Sequence, residues 1–277
     1  MKRIITMQDI SCFGKCSLTV AMPVISAMGV EASVIPTAVL STHSMYKGFT
    51  FHDLTGEIAP IMKHLEKEGF EFDGIYTGYL GSFEQMALAE KLFDTFGRGK
   101  PILVDPCMAD NGKLYAGFNE EFAAEMRKLC ARADVICPNL TEAAFLLNEP
   151  YPGNDYDEAY IRGTLKKLTD MGCRTAVLTG VSLAEGKLGA YAYDAVTDEW
   201  YSFYTDKQPE NFHGTGDIWA STFFGAYIRG RSFEDAVRIA CLYTAECIRL
   251  TIAEPHDYRS GVCFEEAIPY LVDLMKQ

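Results

Sequence analysis

The chain has 277 residues, of which 48% are hydrophobic, and its formal net charge at pH 7 is −13. This length and composition can bury a large core and fit one α/β domain or two small ones. The acidic balance opposes the phosphate-tracking surface of a nucleic-acid-binding protein, so nucleic acid is not expected as a partner. Nine cysteines without any Cys-x-x-Cys pair are typical of reduced thiols, and we expect a cytoplasmic protein.

The amino-terminal segment predicts neither an export signal nor a membrane anchor. The stretch MKRIITMQDI has a basic pair, but its apolar part before Asp9 is too short for a signal peptide. No uncharged apolar run in the chain reaches membrane-spanning length. We therefore expect no membrane partner.

Short β-rich segments alternate with longer helical segments through most of the chain. Amphipathic stretches such as Leu54 to Glu68 and Phe83 to Phe96 predict crossover helices. The strand-like segments are, in chain order, RIITMQDI, ASVIPTAVL, FDGIYTGYL, PILVDP, ADVICPN and RTAVLTGV. This alternation predicts an α/β fold with a doubly wound, mostly parallel central sheet flanked by helices. Ligands are then expected at the carboxyl ends of the strands.

The remaining part of the chain predicts an addition to this sheet. The segment KLGAYAYDAVTDEWYSFYT contains two strand-like runs around a Thr-Asp-Glu turn, which is typical of an antiparallel hairpin. Two helices are expected to close the chain. No repeat, low-complexity tract or linker divides it, so residues 1–277 are expected to form a single domain.

The decapeptide FHGTGDIWAS, residues 212–221, places two glycines, a threonine and an aspartate at the start of a strongly apolar run. That run predicts a buried helix, so Gly-Thr-Gly-Asp forms its first turn, where backbone N–H groups lack partners within the helix. Glycine lets an anion approach these N–H groups, and the helix dipole is expected to keep Asp217 ionised as a proton acceptor. The alternative is an ordinary loop in which Asp217 only satisfies the helix start.

Two further strand ends carry oxygen ligands. VDPCMADNGKLY ends a strand at Asp105, and CPNLTEAAFLL ends another strand and starts a helix near Thr141. With Asn139 or Thr141 as the cap, Glu142 is oriented toward a bound magnesium ion or its water shell, a role that hard oxygen ligands fill. An ordinary cap with an acidic first turn is the alternative interpretation of these residues.

Several segments, in order along nearly the whole chain, resemble the ribokinase-like superfamily and within it the pyridoxal kinases. They are QDISCFGKCSLTVAMPVISAMGV, STHSMYKGFTF, YTGYLGS, VDPCMAD, CPNLTEA, VLTGV and HGTGD. The resemblance implies a three-layer sandwich that uses ATP to phosphorylate the 5′-hydroxymethyl group of pyridoxal, pyridoxamine or pyridoxine in vitamin B6 salvage. It also implies a homodimer.

The resemblance assigns a role to each residue of the Gly-Thr-Gly-Asp turn. Asp217 is the implied base for the substrate hydroxyl. The N–H groups of Gly214, Thr215 and Gly216 are implied to stabilise charge on the transferring phosphoryl oxygens.

Other positions match those that bind the nucleotide in the family. Asp105 and Glu142 resemble residues that organise Mg²⁺ and the ATP phosphates, with Asn139 and Thr179 near the nucleotide. K⁺ is an additional candidate cofactor. Tyr115 lies in ADNGKLYAG, which resembles the loop that covers ATP, and its ring is implied to shield the phosphates from water.

Three positions match the vitamer pocket. Ser11, at the end of the first strand, resembles the family's contact to the pyridine ring, and Ser44 and Tyr79 match positions that line the same pocket. The alternative for Ser11 is a turn residue at the strand end, and for Tyr79 a core aromatic with its hydroxyl at the surface.

The sequence departs from the family pattern at a few positions. Ala109 stands where many relatives have glycine, which affects the backbone flexibility of the loop that covers ATP, here called the lid. Lys15 and Cys16 also differ from the family pattern and could alter which ring is selected. Hydroxymethylpyrimidine kinases share this scaffold and often carry cysteine after their Gly-Thr-Gly, so Asp217 favours the pyridoxal branch. A hydroxymethylpyrimidine kinase of the thiamine pathway and a catalytically weak vitamer-binding protein are the alternative functions.

Overall fold

The structure, a computed structural model, describes residues 1–210, 212–253, 255 and 257–277. The strands are β1 Lys2–Ser11, β2 Val30–Leu40, β3 Phe51–Asp53, β4 Gly74–Thr77, β5 Ile102–Val104, β6 Ala109–Asp110, β7 Lys113–Leu114, β8 Val135–Ile136, β9 Thr175–Val181, β10 Lys187–Asp194 and β11 Glu199–Asp206. The α-helices are α1 Leu18–Ala27, α2 Thr55–Lys67, α3 Phe83–Phe96, α4 Glu120–Cys130, α5 Leu140–Leu147, α6 Glu158–Asp170, α7 Thr215–Ile228, α8 Phe233–Ile252 and α9 Phe264–Leu274, with a 3₁₀ helix at Tyr258–Ser260.

Among the described residues, nine strands form one sheet in the order β11-β10-β9-β8-β5-β4-β1-β2-β3. The strands from β9 to β2 pair in parallel, whereas β10, β11 and β3 pair antiparallel at the two edges. The expected hairpin is β10–β11, and its register runs from Lys187↔Asp206 to Asp194↔Glu199. The predicted mostly parallel sheet with an added antiparallel hairpin is confirmed.

Each face of the sheet is covered by its own apolar core, because successive strand residues point to opposite faces. Ile4 of β1 packs in the cluster under α1, α7, α8 and α9, and the next residue, Ile5, packs in the cluster under α2 to α6. Leu103 and Val104 of β5 divide between the two clusters in the same way. The predicted doubly wound α/β fold, a three-layer sandwich, is therefore confirmed.

The winding reverses between β1 and β4. From β1 the chain crosses to β2 on one side, and after β3 it returns to β4 on the other side of β1 and continues outward to β5, β8 and β9. In open parallel sheets the crevice at such a reversal, outside the carboxyl ends of the strands, is where ligands bind. Ser11 ends β1, and Tyr79 follows β4 closely, so both lie at this crevice.

The chain closes with more helices than the sequence predicts. Instead of two helices, the described part after the hairpin contains α7, α8 and α9. Gly230, with φ of +87°, follows the end of α7, and the hydroxyl of Ser232 accepts a hydrogen bond from the N–H of Asp235 at the start of α8. A left-handed glycine and a serine N-cap therefore separate α7 from α8.

No helix in the described ranges combines the length and apolar character that crossing a membrane requires.

Candidate active site

The Gly-Thr-Gly-Asp turn begins helix α7, as predicted. Gly214 is the N-cap, with φ of +80°, and its carbonyl accepts the first helical hydrogen bond from Ile218 N at 3.1 Å. A Cβ at Gly214 would lie 2.0 Å from the carbonyl oxygen of Lys15, so only glycine fits against the β1–α1 loop here. A Cβ at Gly216 would meet nothing within 4 Å. Gly214, Thr215 and Gly216 all line a pocket, as an anion site at a helix start requires.

Asp217 is buried in this turn, and no ion pair within the described residues involves it. Its exposed fraction is 8%, and the backbone N–H of Ser17 donates a hydrogen bond to its carboxylate. Burial raises the pKa of Asp217 to about 7, and the charge of nearby Asp9 acts in the same direction. The expectation that the helix dipole keeps this group fully ionised is therefore corrected, because loss of hydration outweighs the dipole. A carboxyl group with this pKa can exchange a proton near neutral pH.

A pocket of about 460 Å³ runs from this turn along the carboxyl ends of β5, β8 and β9. Its wall brings together all the predicted nucleotide-side and catalytic residues. These are Asp105, Tyr115, Asn139, Glu142, Thr179, Gly214, Thr215, Gly216 and Asp217. Tertiary structure thus assembles residues that are more than 100 positions apart in the chain.

Asn139 and Glu142 form a reciprocal capping box at the start of α5. The Asn139 Oδ1 accepts hydrogen bonds from Thr141 N and Glu142 N, and Asn139 N donates to Glu142 Oε2 at 2.8 Å. The Asn139 Nδ2 donates to the Ala109 carbonyl at 2.9 Å. The side chain of Asn139 is therefore occupied in capping α5 and in holding the Ala109 carbonyl. Asn139 contributes to the pocket by fixing the shape of its wall.

Three buried carboxyl groups repel one another on the pocket wall. Burial, and then the charges of Glu142 and Asp217, raise the pKa of Asp105 well above its usual range. Burial raises the pKa of Glu142 to about 8, although its two oxygens accept hydrogen bonds from Asn139 N and from Met108 N at 3.2 Å. Such a cluster is unfavourable without a bound cation.

The same carboxyl groups fit a magnesium ion held partly by phosphate. In the described part of the chain, no set of three or more His, Cys, Asp or Glu residues is arranged to hold a metal ion by itself. Magnesium, however, is usually bound through one or two carboxylates together with water and substrate phosphates. Asp105, and the lone pairs that Glu142 keeps free, provide a donor set of that kind.

The predicted nucleotide loop is a small hairpin over the pocket. Strands β6 and β7 pair through Ala109↔Leu114 and Asp110↔Lys113, and the turn residues Asn111 and Gly112 have φ of +51° and +77°. Two positive φ values in an Asn-Gly turn are typical of a tight hairpin. Ala109 is fully buried within β6, so the lid does not need glycine there.

Tyr115 and Thr179 occupy the outer and inner parts of the same pocket. Tyr115 follows β7, and its backbone N–H donates to the Met108 carbonyl at 2.8 Å. Thr179 sits at the end of β9, bridged to Asn139, and its N–H donates to the Pro138 carbonyl at 3.0 Å. The roles assigned to both residues stay predictions.

The predicted vitamer residues separate into two groups. Ser11 is buried, and its hydroxyl donates to Asp9 Oδ2 at 3.4 Å. Tyr79 is half-buried, and burial followed by the charge of Asp9 raises its pKa to about 12. Ser44, by contrast, is exposed in the loop after β2, while its neighbour His43 is buried. Ser11 and Tyr79 therefore share one environment around Asp9, and Ser44 lies outside it.

Sequence reasoning missed Asp9 and Ser17. Asp9 is buried near the end of β1, and burial raises its pKa although the hydroxyl of Ser17 stabilises the charged form. Ser17 has φ of +49° and ψ of −131°, a conformation that non-glycine residues adopt at a cost, and its side chain makes no capping bond to α1. The polar residues Gln8 and Asp9, inside an apolar strand, could have indicated a functional Asp9. Nothing in the local sequence indicates the strained backbone of Ser17.

Lys15 and Cys16, where the sequence departs from the family pattern, have defined surroundings in the structure, and their effect on ring selection stays a prediction. The Lys15 ammonium pairs with Glu265 Oε2 at 2.8 Å. Cys16 is buried, and burial raises the pKa of its thiol, with the charges of Asp217 and Asp9 acting in the same direction. Lys15 instead shapes the site through its carbonyl against Gly214.

This fold and this site define a small-molecule kinase of the ribokinase-like class. The family model described as phosphomethylpyrimidine kinase matches residues 21–260. Since this match covers most of the sequence, the chain belongs to that family and is a kinase.

Solved structures and curated relatives agree with this assignment. A Bacteroides thetaiotaomicron protein, provisionally named a phosphomethylpyrimidine kinase, is 37% identical, with a TM-score of 0.94 over 98% of this chain and 93% of that one. A second crystal form of that protein, with pyridoxal, gives a TM-score of 0.92 over 98% of this chain and 95% of that one. A pyridoxal kinase from Lactobacillus plantarum is 28% identical, with a TM-score of 0.90 over 99% and 98% of the two chains. A pyridoxal kinase from Deinococcus radiodurans is 24% identical over 86% of this chain and 83% of its own.

We expect the two glycines of the turn to respond differently to alanine. Gly214→Ala places a Cβ against the Lys15 carbonyl at a positive φ and should lower the free energy of unfolding by at least about 1 kcal/mol. Gly216→Ala has room for its methyl group and should keep wild-type stability while raising the KM for ATP, because the methyl group obstructs the N–H groups. Urea unfolding and steady-state kinetics separate the two effects. Equal stability of the two variants would contradict the proposed packing.

Proposed function

We propose that the protein transfers the γ-phosphoryl group of ATP to the 5′-hydroxymethyl oxygen of a vitamin B6 vitamer, giving the 5′-phosphate and ADP. The observation that carries the proposal is the position of Asp217, a buried carboxyl group with a pKa of about 7, directly beside the open N–H groups that begin α7. The Bacteroides thetaiotaomicron protein that this chain resembles at 37% identity crystallised with pyridoxal, which supports the substrate class.

Asp217 acts as the general base in this proposal. Its carboxylate accepts the proton of the substrate hydroxyl while the hydroxyl oxygen forms a bond to the γ-phosphorus. The bond between that phosphorus and the β,γ-bridging oxygen breaks, and ADP leaves with the electron pair. The N–H groups of Gly214, Thr215 and Gly216 donate to the phosphoryl oxygens as charge develops on them.

The 460 Å³ pocket is the proposed ATP site. Asp105 and Glu142 would hold Mg²⁺, which neutralises phosphate charge when it is bound, and K⁺ is a further candidate cofactor. Asn139 and Thr179 shape the inner wall. The β6–β7 hairpin and Tyr115 would cover the phosphates and exclude water, which limits hydrolysis of ATP.

Ser11, Ser44 and Tyr79 are the proposed vitamer contacts. Ser11 and Tyr79 lie at the β1–β4 reversal, where ligands of such sheets bind. Ser44 is exposed in the free protein, so its proposed contact requires the loop after β2 to close over the ring. We also propose that residues 1–277 form a single domain that works as a cytoplasmic homodimer.

Hydroxymethylpyrimidine is the second candidate substrate. The description of the matching family model favours it, because that model is named for phosphomethylpyrimidine kinase. Its hydroxymethyl group would meet the same base and the same N–H groups, so the ring-binding residues must decide between the two substrates. A vitamer-binding protein with weak catalysis is the third possibility, and the presence of Asp217 beside an open anion site opposes it.

We expect the purified protein to convert at least one B6 vitamer with ATP and magnesium, at a kcat/KM at least tenfold above that for hydroxymethylpyrimidine. ADP release measured side by side on pyridoxal, pyridoxamine, pyridoxine and hydroxymethylpyrimidine tests this. A preference for hydroxymethylpyrimidine would support the second candidate. Tight vitamer binding by calorimetry without ADP release would support the third.

Asp217→Asn should lower kcat by roughly 100-fold or more, because it preserves size but removes the proton acceptor. Vitamer binding, measured by calorimetry, should remain within about threefold of the wild-type affinity. A variant that keeps wild-type turnover would show that Asp217 is not the base.

The pH profile follows from the raised pKa of Asp217. The base must be deprotonated, so kcat/KM should rise with pH through about 7 and then level off, and it should be lost on the acid side. Dividing the wild-type rate by the Asp217→Asn rate at each pH cancels the ionisation of the vitamer itself. A ratio independent of pH between 5 and 9 would contradict the assignment of this ionisation to Asp217.

A further inference from the structure

Asp9 is a buried carboxyl group that the proposed reaction does not use. It lies near the carboxyl end of β1, at the reversal of the sheet, with 5% of its surface exposed. The pairing of β1 with β2 is interrupted between Gln8 and Ile10, so the ladder is irregular at Asp9 itself. The extra residue lies on β2, because Gln8 pairs with Pro36 and Ile10 with Val39.

The partners of Asp9 are hydroxyl groups and not cations. Ser11 Oγ donates to Asp9 Oδ2 at 3.4 Å, and the Ser17 hydroxyl also stabilises the charged form. Within the described ranges, none of the ion pairs of the protein involves Asp9. A buried carboxylate with two hydroxyl neighbours and no cation is destabilising in the free protein.

The histidine near Asp9 does not supply the missing charge. His43 Nε2 lies 2.6 Å from the Arg259 carbonyl oxygen and must donate to it, while Met45 N donates to His43 Nδ1 at 3.3 Å. One nitrogen that donates and one that accepts define the neutral imidazole. Burial also lowers the pKa of His43. The positive charge that Asp9 lacks therefore has to come from outside this cluster.

Asp9 is also close to the reacting centre. Ser17 joins the two carboxyl groups, since its N–H bonds Asp217 and its hydroxyl faces Asp9. In its strained backbone conformation, Ser17 donates its N–H to Asp217 and directs its hydroxyl to Asp9. The two carboxyl groups are close enough that the charge of Asp9 helps to raise the pKa of Asp217.

We infer that Asp9 is a specificity-determining residue that binds a positively charged N–H group of the vitamer next to the reacting hydroxymethyl group. The inference rests on the proposed function and narrows its substrate class. Among the B6 vitamers, pyridoxamine carries an ammonium group at this position, whereas pyridoxine carries a hydroxyl. The geometry therefore favours pyridoxamine, whose ammonium complements the unpaired carboxylate.

The test is Asp9→Asn, which keeps size and hydrogen bonding but removes the charge. With saturating ATP and magnesium, kcat/KM for pyridoxamine should fall roughly 10- to 100-fold, the range expected for a hydrogen bond between charged groups. The fall should lie mainly in KM. For pyridoxine the change should stay below about threefold. Calorimetry with pyridoxamine and with pyridoxine provides a second readout that does not depend on turnover.

Asp194→Asn is the matched control. Asp194 is buried to a similar degree, with 6% of its surface exposed, but it is paired with Arg174 at 2.9 Å on the far edge of the sheet. Its loss should lower stability and leave the ratio of pyridoxamine to pyridoxine activity unchanged. Thermal unfolding of both variants separates loss of fold from loss of selection.

Two outcomes would overturn the inference. The first is an unchanged pyridoxamine-to-pyridoxine ratio in Asp9→Asn; if both activities fall equally, Asp9 belongs to the chemical step. The second is wild-type binding of pyridoxamine that is no tighter than that of pyridoxine. If Asp9→Asn does not fold, Asp9→Ser and this comparison of wild-type affinities decide. A wild-type protein without activity on any vitamer would refute the proposed function, while the calorimetric comparison would still decide the role of Asp9.

Discussion

The repulsion among buried carboxyl groups at the carboxyl ends of the central strands is the constraint on which this site depends. Asp105, Glu142 and Asp217 lie on one pocket wall, and burial raises the pKa of each above its ordinary value. The free protein thus holds groups that favour a cation or a proton. In the proposed reaction, a magnesium-bound nucleotide would supply the cation and the substrate hydroxyl would supply the proton, so the charge that destabilises the empty site would favour the reactants.

The rest of the fold keeps these groups in place without neutralising them. The capping box of Asn139 and Glu142 holds one carboxylate by backbone N–H groups, and Ser17 holds another in the same way. Hydrogen bonds from N–H groups orient a carboxylate while leaving its negative charge available. Gly214 allows α7 to start against the Lys15 carbonyl, so the β1–α1 loop and the first turn of α7 pack closely. The strained backbone of Ser17 lets its N–H reach the Asp217 carboxylate.

Much of this was predictable from the sequence, because alternation of strands and amphipathic helices specifies the layers. The α/β fold, the added hairpin, the helix start at Thr215 and the kinase family were predicted and are confirmed. The number of closing helices was wrong, since Gly230 and the Ser232 cap separate α7 from α8 and α9 follows as a third helix. The roles of the individual site residues stay predictions, although the structure gathers the nucleotide-side residues on one wall.

By itself the sequence determined which chemical groups end each strand and begin each helix, because periodicity and capping are local properties. Only the tertiary structure decided how far each group is removed from water and which charges face it. For that reason Asp217, expected to be ionised by its helix, has a pKa of about 7, and Asp9, unremarkable in the chain, becomes a buried carboxyl group whose pKa burial raises above its usual range. Desolvation depends on all the elements packed around a group, and no local pattern contains that information.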